Sequence, residues 1–159
     1  MRPLLAALLA LTLTAPVAAA EHWSFEGGAT PIAWFDNGDA QFQFACRGGD
    51  LAMGYWVRAP HQQVARGTSM NLAISADPSG KGMPGASYAQ DMPLIHSDGT
   101  SMIVRGPVAR AWARIAQQAK QTLRVAYVRK QSGLEIFDAH DFGAAGSNAA
   151  ISRVLDRCG

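Results

Sequence analysis

The chain has only two cysteines, at 46 and 158, and no C-x-x-C pair, so neither a redox-active dithiol nor a cysteine-built zinc site can be assembled from it. Its four histidines stand at 22, 61, 96 and 140 with no H-E-x-x-H among them, which removes the usual zinc-protease pattern. The Walker spacing is missing, so a phosphate loop is excluded. No run of basic residues occurs. A nucleic-acid footprint needs a clustered basic face, and nucleic acid is not an expected partner. Internal repeats and domain linkers are lacking as well. Only one long apolar run exists, and it lies at the very start of the chain.

That run has the three parts of an export signal. Arg2 makes a positive beginning, Leu4 to Val17 is apolar, and Ala18-Ala19-Ala20 is a small-residue cleavage site. The run is short for a bilayer span of about 20 residues. Residues 1–20 therefore read as a secretory signal peptide and 21–159 as a single exported β-rich domain, periplasmic or secreted from a bacterial cell, with no stable membrane insertion after cleavage. Removal of 20 of the 159 residues leaves 139, enough for one domain with a real core. In an oxidising compartment Cys46 and Cys158 are expected to pair. The closed loop would exceed 100 residues, so chain-entropy arguments make the bridge a structural staple.

The first half carries period-two patterns. Ile32 to Phe35 and Ala40 to Cys46 flank Asp36-Asn37-Gly38-Asp39, a hairpin signal that predicts a type I′ turn. Phe42, Phe44 and Cys46 point one way, Gln41 and Gln43 the other. Leu51, Met53, Tyr55 and Val57 alternate in the next strand, completing a three-strand meander. Ser69 to Ser75 puts Met70, Leu72 and Ile74 on one face. Asp77 to Gly85 reads as a flexible turn rich in Gly and Pro. One short strand is expected within Ala86 to Ser97, and another at Met102 to Arg105.

From Val108 the period changes. Ala111, Trp112, Ile115, Ala116 and Ala119 mark one face of a helix that starts at Pro107. Strands follow at Thr122 to Arg129 and Leu134 to Asp138. A last helix, with Ser147 as N-cap, buries Ala150, Ile151, Val154 and Leu155. The predicted class is α+β: an antiparallel β-rich sandwich or curved sheet with two packed helices, the second C-terminal.

The string Phe137 to Cys158 runs strand, Phe142-Gly143, small residues, then a helix ending in Cys. Together with the export signal, the early strand ending in Cys46 and the helix-strand-strand-helix second half, it resembles small exported proteobacterial proteins of the invasion-associated locus B type. More loosely, it is similar to accessory periplasmic proteins of type VI secretion. The resemblance implies a non-enzymatic, β-rich envelope protein and carries over no functional residues.

Several constellations invite chemistry. Asp138 precedes His140 by two residues, and a carboxylate can orient an imidazole as a base in a small hydrolase. Met83, Met92 and His96 are soft donors of the kind that hold Cu(I), so a copper or small-ligand carrier is an alternative; the competing reading is that the methionines fill gaps in the core. The exposed loop Ser79-Gly80-Lys81 could enter a partner's cleft, as the Ser-Gly loop of exported lysozyme inhibitors does, or be a plain connection. Asp36 to Asp39 is too short for an EF-hand. The four tryptophans belong mostly to the core, with some available for a surface. Lacking a catalytic constellation and any cofactor signature, the chain reads best as a non-catalytic protein that binds another protein or envelope component.

Overall fold

Each apolar alternation in the sequence becomes a strand, and the pairing register shows why. The structure is a computed structural model and describes residues 22–158. The export segment read from the sequence lies outside those residues. The strands are Ser24–Glu26 (β1), Ile32–Asp36 (β2), Ala40–Arg47 (β3), Asp50–Val57 (β4), Ser69–Ala76 (β5), Ser87–Pro93 (β6), Ile95–Ser97 (β7), Gly99–Arg105 (β8), Thr122–Lys130 (β9) and Leu134–Gly143 (β10). The helices are Gln62–Ala65 (α1), Pro107–Gln118 (α2) and Ser147–Leu155 (α3). Two antiparallel sheets result, one in the order β1-β2-β3-β4-β8-β7 and the other β10-β9-β5-β6. The fold is α+β.

Inward rows cross the larger sheet. Phe35 lies opposite Phe42, Phe42 opposite Tyr55, and Tyr55 opposite Met102. From the smaller sheet Leu72, Ile74, Leu123, Val125, Tyr127 and Phe142 meet them, and Trp112 of α2 is fully buried among them. Burial of a side chain of this size contributes about 1.5–3 kcal/mol. The indole nitrogen of Trp112 donates to Ser87 Oγ at 3.1 Å, so burial leaves it satisfied. β5 and β9 are buried on both faces, because Met83 covers Ala73, Ala126 and Val128 from outside.

The helices close one side of the two sheets. Gly106, at φ 68°, turns the chain into α2, whose first residue is Pro107. Ser147 does not cap α3. Gly146 holds the cap position at φ 80° without a side-chain bond, and Ser147 sits buried in the first turn, donating to Ala116 O at 2.8 Å. That bond ties α3 to α2. Cys46 and Cys158 are bridged, with Cα atoms 5.5 Å apart, so the end of α3 is fastened to β3.

Other expectations need correction. The β2–β3 connection is not type I′: Gly38 is at φ 96°, but Asn37 is not left-handed. Instead Asn37 Oδ1 accepts from the amides of Asp39 (3.0 Å) and Ala40 (2.8 Å), an Asx cap that widens the turn. The region 86–97 carries two strands in different sheets, β6 and β7. α1 is an additional short helix. β10 runs past Asp138 to Gly143.

Candidate functional site

The connection 77–86 between β5 and β6 is irregular, as its Gly and Pro content demands, and it is tied to the sheet at several points. At its entry Asp77 adopts φ 46° and its carboxylate accepts from three amides, those of Lys120 (2.9 Å), Gln121 (2.7 Å) and Thr122 (3.0 Å). These amide bonds hold its pKa below the ordinary value of 3.8. At its exit Ser75 Oγ donates to Pro84 O at 2.6 Å. Beneath, Met83 plugs the outer apolar cluster.

Arg124 of β9 supplies the central tether. Its Nε and Nη2 donate to the two oxygens of Asp141 at 2.7 and 2.8 Å. Its Nη1 donates to Gly80 O (2.6 Å) and Gly82 O (3.0 Å). The fork geometry of guanidinium suits this double duty, and the bond to Asp141 raises the pKa of Arg124 further. Gly80, at φ 69°, lets the chain fold back over the guanidinium. Ser79, Gly80, Lys81 and Gly82 remain exposed at the tip.

Beside the tip lies an open depression of about 330 Å³, lined by Lys81, Arg124, Ala139, His140 and Asp141. A bulge in β10 shapes it. The register slips between Phe137 and His140, and Asp138 takes φ 46°. The buried Tyr55 hydroxyl donates to Asp138 O, which locks the bulge from below. Burial raises the Tyr55 pKa well above its usual value, so the hydroxyl stays a donor. Both Asp138 carboxylate oxygens accept from the His61 amide at 2.9 Å. Asp138 therefore orders the segment entering α1, and does not orient His140. Among the described residues, no hydroxyl or carboxylate is hydrogen-bonded to His140. A nucleophile–base pair needs such a bond and a water-poor setting. The depression is shallow and open to solvent.

The three soft donors do not converge. Met83 packs on the outer face of the smaller sheet, whereas Met92 packs against the main core on its inner face. His96 Nε2–H donates to Gly67 O at 2.7 Å, and its Nδ1 accepts from Thr100 Oγ1 at 2.9 Å, so both ring nitrogens are engaged. Among the described residues no three His, Cys, Asp or Glu side chains are grouped to hold a metal.

Two of the tryptophans, Trp23 and Trp112, are core. Trp34 and Trp56 are half-buried on the outer face of the larger sheet. There, adjacent depressions of about 240 and 270 Å³ share Gln43, Gly54 and Ile103. Gly54 matters because a Cβ would meet Gln43 at 3.2 Å, so the glycine lets that amide lie across the floor. No protein-family model, curated protein or solved structure matches the chain.

Proposed function

We propose that the protein is an exported, non-catalytic binding module, periplasmic or secreted, that engages another envelope protein through the loop 77–86. The observation that carries this reading is the tethering of that loop. Arg124 fixes two of its carbonyls, Asp77 fixes its entry and Met83 its underside, while Ser79 to Gly82 stay exposed. A loop fixed before contact avoids much of the ordering cost of association, about 0.5–1.5 kcal/mol per immobilised side chain. The disulfide and the signal-like N-terminus support an extracytoplasmic setting. The resemblance to exported proteins of the invasion-associated locus B type points the same way.

The test is comparative crosslinking in cells that express tagged protein. One envelope protein should be captured by the wild type and lost with Lys81→Glu, while the variant remains folded by circular dichroism. Equal capture by Lys81→Glu and by a chain with residues 79–82 replaced by a Gly/Ser stretch would remove the loop from the binding surface.

A further inference from the structure

We propose that the layer formed by α2 and α3 is an electrostatic docking face for an anionic lipid bilayer. The chain as a whole is almost balanced, with 14 basic and 12 acidic residues, yet no Asp or Glu occurs from Gly99 to Leu134. Folding concentrates that asymmetry. Arg110 and Arg114 are exposed on α2, and Arg153 and Arg157 on α3 and its end. The two helices lie side by side, joined by Gln117 Nε2 donating to Ser152 Oγ at 2.8 Å and Arg110 Nη2 donating to Cys158 O at 2.8 Å. Asp156 is the one acid that faces this set from the two helices and their caps. Among the described residues the ion pairs are made by Arg58, Arg124 and Arg129, all elsewhere. Four arginines thus stand over one acid, with no described ion pair to neutralise them.

The form of the face selects the ligand. Its apolar stripe is turned inward, with Ala109, Trp112, Ala113 and Ala116 of α2 and Ala150, Ile151 and Val154 of α3 buried. Val108, Ile115 and Leu155 are packed, partly buried, against the core, so no large apolar side chain of the layer is exposed for insertion, and no described helix is long and apolar enough to cross a membrane. Attachment is therefore by charge and is reversible. Single-stranded nucleic acid would need exposed rings for stacking. The aromatic beside this layer, Phe25, is covered by the Arg153 guanidinium at 3.9 Å. Arg153 is itself exposed, so its guanidinium remains accessible to headgroup phosphates.

Each arginine near an anionic bilayer strengthens binding by about fivefold. The full exported chain is sedimented with vesicles of neutral phosphatidylcholine, or of the same lipid with ~30 per cent phosphatidylglycerol. Binding is expected to the anionic vesicles alone, and to fall as salt is raised from ~0.05 to ~0.5 M. The pair Arg110→Gln/Arg114→Gln should weaken it about 25-fold, and Arg153→Gln/Arg157→Gln should do the same independently. Because Arg110 also holds Cys158 O, the second pair carries the test if the first unfolds. Arg58→Gln/Arg66→Gln, at the residue paired with Asp36 and at the end of α1, should change binding less than about twofold. The proposal is overturned by equal binding to neutral vesicles, by none to anionic ones, by equal loss in the control pair, or by tighter binding to a DNA duplex than to vesicles at the same salt.

Discussion

Replacing Arg124 with methionine keeps the aliphatic stem and removes the fork. Four hydrogen bonds go with it: two to Asp141, and one each to Gly80 O and Gly82 O. The Asp141 side chain is 49% exposed, so its pairing with Arg124 is screened and contributes only about 1 kcal/mol. Bonds from a charged donor to the two loop carbonyls contribute about 1 kcal/mol each, since water competes for them. The tether is thus about 3 kcal/mol, and it acts on the loop rather than on the sheets. Native-state hydrogen exchange separates the two. The Ala86 amide donates to Met83 O within the loop, and its exchange should speed up about 100-fold. Amides in the β3–β4 ladder should change far less. Unchanged exchange at Ala86 would refute the tether. A uniform rise across all strands would equally refute it, by showing that Arg124 holds the whole fold and not the loop.

Other consequences are direct. Replacing both Cys46 and Cys158 with serine opens a link spanning 112 residues and should cost about 4 kcal/mol, read as a lower midpoint in urea with a steeper slope, because the unfolded chain is no longer held compact. Gly99→Ala should be among the most damaging single changes, at about 3 kcal/mol or more. The glycine is at φ 126° and a Cβ would lie 2.3 Å from Val57 O; a melting point within about 2 °C of wild type would contradict the packing described. Asp77 is held below its ordinary pKa, so it stabilises the fold above that value and loses the contribution as pH falls through its lower folded pKa. Asp77→Asn tolerates the same backbone and should melt below wild type near neutral pH, with the gap narrowing as pH falls below the ordinary carboxylate range.

The hairpins were legible because period two places Phe42, Phe44, Tyr55 and Met53 on one face whatever the tertiary context. The partition into two sheets was not. Alternation says which way Leu72 points, but not that β5 pairs with β9 instead of β4. From sequence β10 reads as ending at Asp138, because the bulge sets two residues against one partner and breaks the alternation. Four-residue α1 has no room for a helical period. Ser147 has a capping chemistry, but the preceding glycine takes the cap, and the hydroxyl finds Ala116 instead.

The candidate loop was visible as an exposed Gly/Ser/Lys stretch, but its tether was not. Arg124 reads as one polar residue in an alternating strand, and its partners lie 17 to 44 residues away. A signal existed only in retrospect, as an arginine in a strand buried on both faces. Likewise Met83 and Met92, only nine residues apart in sequence, are parted by the sheet between them.

The most direct test of the central claim is site-specific photocrosslinking from position 81. A photoreactive residue there, in the otherwise wild-type chain, should yield one specific adduct with an envelope protein. The same residue at Thr30, which lines the depression over Gln43 and Gly54 on the outer face of the larger sheet, should not, and adding Arg124→Met should sharply reduce the adduct at 81. An adduct from Thr30 and none from 81, or one at 81 indifferent to Arg124, would contradict the account.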